Sequence, residues 1–527
     1  MQNHNHTDVA VSRDGANSLH PTWGRKMALV GVFLLAFALR LIHLDEAPRD
    51  FWTVRQYYVP MLAQALFLQE LPDLPLWQQE LVQAHKQAFQ SRELPVMEWA
   101  GVAVFRIIGR FAIWPLRIQP VLAWVLGGIF LFLIARSLFS FRAGVIGVAF
   151  YLFLPYGVTA SRSLQPDSLM VMALLAAIWS MVRYHERPSG WRWGTCVVVS
   201  GLAILVKPGI SQFAISATYL ALAVERMGWR RAFRDPKTYL FYAGAALPAA
   251  GYLWARSVAG AGLSFYLAWN FKPELLSTLY FWKGWLGILL RIFGLPALAL
   301  AGWGFAAPPS RRAFSLMLGF GLGYLAQCFF TIVATPTHDY WHLQVVPLVA
   351  LGVGGGVNRI LSFLDRPPKA AIKKAVAWSL ACLWAVISIG TVLADAYRPK
   401  NTAYFQIAKE IGEAVGHSTR TIILDHDKGY PLMYLANIHG RDWPVTAAMQ
   451  FGQVAGTASG YEQASLSAAD RYARFYAGNS ADFFIVCRAL DELDRQPGLR
   501  DFLYSNFRLM ASGYRYLIFD LRERRPL

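Results

Sequence analysis

The residues best suited to chemistry in this chain are polar side chains set at the ends of apolar runs. The stretch LDEAPRDFWTVRQYY, Leu44 to Tyr58, puts three carboxylates, two arginines and four aromatics directly after the first apolar segment. Asp45, Glu46, Asp50, Arg55 and Gln56 all come from it. Further along stand Glu93 and Glu98, then SRSLQPDS with Arg162 and Asp167, VKPG with Lys207, Lys272, and THDYWH with His338, Asp339, Tyr340 and His342. A carboxylate can take a proton from a hydroxyl, and Arg and Lys can hold phosphate oxygens. Burying such groups at a membrane boundary costs several kcal/mol unless a partner or substrate compensates.

The elements that must position these residues are membrane helices. Of 527 residues, 55% are hydrophobic and 16% charged, and the apolar residues fall in long blocks, which describes a polytopic α-helical membrane protein. About eleven segments are long enough to cross a bilayer, at roughly 27–44, 118–135, 143–160, 168–183, 193–209, 211–225, 238–256, 284–306, 314–334, 343–361 and 375–394. Residues 96–113 are apolar but interrupted by Glu98, Arg106 and Arg110, which suits a helix lying in the interface.

Lys and Arg outnumber Asp and Glu by 50 to 32, giving a net charge of +18. The excess sits on alternate loops, including Arg136, Arg142, Arg183, Arg187, Arg192, Arg230, Arg231, Arg311 and Arg312. This is the positive-inside pattern, so the charge calls for a membrane and not for nucleic acid. It places a tail of residues 1–26 inside, a transmembrane unit at 27–394 with a long first outside loop at 44–117, and residues 395–527 outside. The first segment reads as an anchor and not as a cleaved signal, because a polar stretch precedes it. All the polar groups named above then share the outer face.

The tail after Asp395 changes character. TAYFQIAKEIGEAV reads as an amphipathic helix, RTIILDHD as a strand, GYPLMYLAN as a short helix, and ADFFIVC and YRYLIFDL as strands. A small extracytoplasmic α/β domain follows. In the first outside loop, DLPLWQQELVQAHKQAF spaces Leu76, Leu81 and Ala84 for a helix lying on a surface. The four cysteines show no disulfide framework or metal cluster, and there is no Walker loop, HExxH, or Rossmann glycine pattern beside a strand.

In order and in topological side, these features resemble the GT-C glycosyltransferases of the protein O-mannosyltransferase and aminoarabinose transferase group. The resemblance runs from Arg40 to about Ala350. It rests on Arg40 near the end of the first helix, the acidic first loop, ELPVMEW, RIQPVLAWVLGG, SRSLQPDSLM, GLAILVKPG and THDYWHLQVVPLVAL. Relatives usually carry an Asp-Glu pair about eight residues before an Ala-Arg pair; here Arg55-Gln56 stands at that place, and the acid has moved upstream.

The resemblance implies transfer of a sugar from a polyprenyl-phosphate donor to a lipid, glycan or protein acceptor at the outer face of a bacterial inner membrane, with inversion. It implies Asp50 as the catalytic base, with Asp45 and Asp167 as further carboxylates. Arg55, Lys207 and Arg162 then meet the leaving phosphate, and Gln56, Glu93, His338 and Tyr340 contact substrate. No cofactor is required; Asp50 with Asp167 could hold a divalent metal. Plainer roles compete at every position. Asp45, Glu46, Glu93 and Asp167 sit where helices are capped, Lys207 can snorkel to headgroups, and HDYWH suits an aromatic belt. A flippase of lipid-linked glycans is the alternative, although it predicts polar breaks near the midplane and related halves, whereas these charges gather at one face.

Overall fold

The computed structural model describes residues 23–48, 51–89, 93–258, 270–365, 370–397, 402–454 and 463–524. Asp50 lies outside the described residues, as does nearly all of the N-terminal tail. Every one of the eleven expected apolar segments falls on helix: α1 (Trp23–Arg40), α5 (Trp114–Leu138), α6 (Phe141–Phe153) with α7 (Pro155–Ala160), α8 (Asp167–Glu186), α9 (Gly190–Val206), α10 (Ser211–Met227), α12 (Pro236–Val258), α13 (Leu279–Ala306), α14 (Arg311–Phe330), α15 (Val346–Leu364) and α16 (Ala370–Ala396). The remaining helices of this unit are α2 (Thr53–Leu68), α3 (Leu76–Phe89), α4 (Val96–Ile108) and the short α11 (Trp229–Ala232). Five stretches of helix among the described residues are long and apolar enough to cross a membrane: α5, α8, α13, α14, and Asp339–Leu364, which contains α15.

The proposed inside turns start their helices in one way. Ser140, Ser189 and Ser310 accept hydrogen bonds from the backbone N–H groups of Ala143, Arg192 and Ala313 at 3.1, 3.4 and 3.1 Å, which satisfies donors that a helix start leaves open. On the opposite face α1 ends at Arg40, which is fully buried. Its guanidinium donates to Ser161 Oγ at 2.7 Å and to the carbonyls of Ala36 and Leu152 at 2.8 Å each. One side chain thus ties α1 to the end of α6 and to the loop that carries Asp167.

With no hydrophobic driving force between helices in lipid, close packing decides how they associate. Here small residues let backbones touch. A Cβ added to Gly323 of α14 would stand 2.4 Å from the carbonyl oxygen of Phe213 and 2.5 Å from Cα of Ala214 on α10. One added to Gly304 of α13 would stand 2.0 Å from the Gly352 oxygen on α15. The α13 helix breaks at Gly294 (φ 72°), two residues before Pro296, as expected where a proline removes a helical hydrogen bond.

The proposed first outside loop holds two helices that the sequence pattern represents poorly. α2 was not expected as a helix. It is packed on both sides: Val59, Ala63 and Phe67 meet Met97, Val102 and Phe105 of α4, while Tyr57, Met61 and Leu62 join the core of the C-terminal domain. α3 forms where LWQQELVQAHKQAF stands and buries Leu81 as expected, but Leu76 is not on the buried face and the surface the helix packs on is the C-terminal domain. Its buried residues are Leu81, Val82, His85 and Phe89, and Leu76 is 70% exposed. Phe89 packs in the same core as Tyr404, Leu432 and Ile438, and Trp77 stacks on His417 with ring centroids 4.2 Å apart.

The C-terminal domain is α/β, as expected. It begins with α17 (Thr402–Ala414), includes α18 (Tyr430–Ala436), and has a five-stranded sheet of β1 (Thr421–Leu424), β2 (Gly440–Asp442), β3 (Phe483–Cys487), β4 (Phe507–Gly513) and β5 (Tyr516–Arg524). The order is β2-β1-β3-β5-β4, with β1 parallel to β2 and β3, and β5 antiparallel to β3 and β4. The sequence pattern gave no sign of β2 or β4, because β2 is three residues long and β4 lies at a half-exposed edge.

Replacing Gly323 by Leu should lower the thermal midpoint of the purified protein by about 1–3 °C, since overpacking a filled contact costs about 1–3 kcal/mol and a chain of this length shifts by about 1 °C per kcal/mol. Gly194→Leu is the control: no atom lies within 4 Å of a Cβ there, and the midpoint should match the parent's. Equal effects would mean that the α10–α14 contact does not govern stability.

Candidate active site

The loops on the Arg40 side converge on one polar cluster. Asp167 is the first residue of α8, after Pro166, and Lys207 directly follows α9. Because α8 and α9 are consecutive and antiparallel, the start of one lies beside the end of the other. Lys207 Nζ donates to Asp167 Oδ1 at 2.6 Å, with side-chain exposures of 4% and 1%. The second carboxylate oxygen of Asp167 is buried without a hydrogen-bond partner. The Lys207 ammonium also lies 5.0 Å from the centroid of the Tyr340 ring, a favourable position for a cation.

Tyr340 belongs to the turn of helix Asp339–Val345. Its loop is seated on α13, where a Cβ on Gly284 would meet the carbonyl oxygen of Pro336 at 2.8 Å. Trp52, at the head of α2, holds this loop from the other side. It stacks on His338 at 4.9 Å, meets Tyr340 edge-on at 5.0 Å, and donates its indole N–H to Asp339 Oδ1. Its backbone is left-handed, φ 39°, which is uncommon for a bulky residue and marks a conformation fixed by its surroundings.

Arg55, one turn into α2, donates to Glu93 Oε1 at 2.8 Å. Its guanidinium carbon sits 5.8 Å from the Tyr58 ring and 6.0 Å from the Tyr340 ring, and its Nε–H has no partner. Arg55, Tyr58, Glu93, Glu98, Gln165 and Pro166 line a cavity of about 150 Å³. Burial pushes the Glu98 carboxyl up to about 7, so near neutral pH it can donate a proton as well as accept one.

Asp167, Lys207, Arg55, Glu93, His338 and Tyr340 therefore come together. The other expected residues lie in these surroundings. Gln56 is fully buried; its amide donates to the Phe51 carbonyl and accepts from the Leu164 N–H at 3.3 Å, so it fastens loops. Arg162 donates to the Ile42 carbonyl, tying the Asp167 loop to the end of α1 where a phosphate contact was expected. Asp45 is exposed in the turn after α1. Asp50 lies outside the described residues; Phe51, which follows it, is buried and packs on Tyr156 at 5.5 Å. Trp52 was not among the expected site residues, and Glu98 was named as a candidate without a role; Trp52 lies within LDEAPRDFWTVRQYY, where the charged residues carried the expectation. Among the described residues no group of three or more His, Cys, Asp or Glu is placed to hold a metal.

Losing one partner of a buried ion pair strands the other charge and costs about 3–5 kcal/mol. Asp167→Asn should therefore melt well below the parent in a thermal scan, and Asp167→Asn with Lys207→Met should regain most of that loss. If the double variant is no more stable than the single one, the two groups do not interact as a pair.

Comparison with known proteins fits this geometry. Residues 92–254 match the family described as dolichyl-phosphate-mannose-protein mannosyltransferase, a span that contains Glu93, Glu98, Arg162, Asp167 and Lys207. No curated protein matches the sequence. Among solved structures, ArnT from Cupriavidus metallidurans bound to undecaprenyl phosphate superimposes with a TM-score of 0.56 at 15% identity over 95% of this chain and 98% of that one. The same enzyme in the apo state gives 0.58 at 14% identity over 94% and 97%. The archaeal oligosaccharyltransferase AglB from Archaeoglobus fulgidus, in complex with an inhibitory peptide and a dolichol-phosphate, gives 0.55 at 12% identity over 92% and 73%. Residues 92–254 are thus similar to the mannosyltransferase family, and the chain as a whole, with its apolar helices and C-terminal sheet domain, shares the fold of ArnT and AglB.

Proposed function

We propose that this protein transfers a sugar from a polyprenyl-phosphate donor to an acceptor hydroxyl at the outer face of a bacterial inner membrane, with inversion at the anomeric carbon. The observation that carries the proposal is a pair of cations that share the Tyr340 ring, Lys207 Nζ 5.0 Å and the Arg55 guanidinium carbon 6.0 Å from its centroid. Lys207 uses one of its three N–H donors on Asp167, and Arg55 keeps an unused Nε–H beside Glu93. Two partly used cations on buried or half-buried stems suit a phosphate that gains negative charge as the glycosidic C–O bond breaks. ArnT bound to undecaprenyl phosphate shares the fold, and this supports the lipid-linked class of donor.

In this reading Asp50 takes the proton from the acceptor hydroxyl as its oxygen attacks the anomeric carbon, and the phosphate leaves toward Lys207 and Arg55. Asp167 holds Lys207 in place; its unpartnered oxygen makes it the second carboxylate able to act as base. Tyr340 and Trp52 wall the site and limit water, which strengthens the electrostatic contacts inside it. The cations and the single-faced cluster support transfer over flipping, which calls for polar breaks near the midplane.

The test is turnover by the purified full-length protein. A polyprenyl-phosphate sugar should be consumed and polyprenyl phosphate released, while a sugar nucleotide without lipid should give no product. Asp50→Asn should cut the single-turnover rate by at least a hundredfold, in the range expected for losing a general base, while donor binding is retained. Arg55→Ala should instead weaken donor binding. Efficient use of a sugar nucleotide alone would refute the donor class, and a parental rate in Asp50→Asn with a dead Asp167→Asn would move the base to Asp167.

A further inference from the structure

A second cavity, of about 390 Å³, opens where α3 meets the edge of the sheet, and it shares Ala88, Phe89 and Tyr430 with the first. The Phe89 and Tyr430 rings meet edge-to-face at 5.8 Å, so an aromatic pair stands at the boundary between the two spaces. On the far side the cavity is lined by β2 and by Gln463, Phe475 and Tyr476.

Its polar groups are held from behind and left open in front. Tyr476 donates its hydroxyl to the Asp442 carbonyl at 2.6 Å, and Thr421 donates to the His439 carbonyl at 2.9 Å. Arg471, itself buried, donates to the Gln463 carbonyl at 3.0 and 2.7 Å through Nε and Nη2. Yet Asp442 Oδ1, Gln463 Oε1 and His439 Nδ1 are all buried without a hydrogen-bond partner. Each such group costs about 1–3 kcal/mol if nothing meets it, and native proteins carry few of them. Three around one cavity mark a place for a ligand rich in hydrogen-bonding groups. Burial also pushes the Asp442 carboxyl up to about 6.

We infer that this cavity binds a sugar ring of the acceptor and presents its hydroxyl past Phe89 and Tyr430 to the transfer site. Hydroxyls donate to carboxylate and amide oxygens and also accept from ring N–H groups or from Arg441, which lines the same space. Tyr430, Phe475 and Tyr476 put aromatic side chains in the cavity lining, where the C–H side of a ring can pack. The volume falls in the range of small-ligand pockets. A peptide acceptor adding to the sheet edge is less well served, because β2 offers only three residues. The inference rests on the transfer reading above and narrows its acceptor to a glycan or a glycosylated lipid.

Binding is measured first and without donor, by saturation-transfer NMR on full-length protein in nanodiscs with methyl glucoside, methyl mannoside and methyl N-acetylglucosaminide as probes. At least one should give a signal, and Asp442→Asn and Gln463→Ala should each reduce it at least fivefold, with thermal midpoints near the parent's. No signal from any glycoside, or a signal unchanged in both folded variants, overturns the inference. If a serine-containing peptide binds and is displaced by the same substitutions while the glycosides do not bind, the acceptor is a protein instead. Glycoside binding with no donor turnover would count against the donor reading and leave this site standing; donor breakdown to water with no glycoside binding would do the reverse.

Discussion

A buried cation and a buried carboxylate set against each other, Lys207 and Asp167, organise the polar face of the helical unit. Lys207 and Asp167 are both almost wholly removed from solvent and meet at 2.6 Å. Desolvating two ions costs several kcal/mol each, and close geometry is needed to offset it. The pair joins the start of α8 to the end of α9, so the loops between neighbouring helices cannot drift apart. Tyr340 closes over the lysine from a third element, and Trp52 braces Tyr340 from a fourth. Arg40 supports the same face: one hydrogen bond to Ser161 ties the end of α1 to the Asp167 loop, one to the Leu152 carbonyl ties it to α6, and one stays within α1 at Ala36.

The C-terminal sheet domain is part of this arrangement. Its core continues into α2 and α3 through Tyr57, Met61, Leu62 and Phe89, while the other side of α2 rests on α4. The helix that carries Arg55 is thus clamped between the helical unit and the sheet domain. A change in how the sheet domain seats would move Arg55 relative to Lys207, so the spacing of the two cations depends on packing far from either one.

The sequence made the helical segments legible because apolar length is a strong signal, and the charge asymmetry sorted the loops. Asp167 and Lys207 could be named because each lies beside a proline at the edge of an apolar run. What the sequence did not show was how the polar groups are shared out. Gln56 and Arg162 look as suited to a substrate as Arg55 does, but unpaired carbonyls of buried loops need donors, and these two side chains supply them at Phe51 and Ile42. α2 went unread because it carries Pro60 and is buried on both sides, so it has no polar stripe to set a helical period. α3 showed its period, but which surface it faced depended on a partner 350 residues away, and spacing alone cannot supply that.

The most direct measurement is a structure of the full-length protein with polyprenyl phosphate bound. The account predicts the phosphate within hydrogen-bonding distance, about 2.7–3.2 Å, of both Lys207 Nζ and the Arg55 guanidinium, with Asp167 still on the lysine. A phosphate bound elsewhere on the face, with Lys207 and Arg55 still occupied only by Asp167 and Glu93, would contradict it.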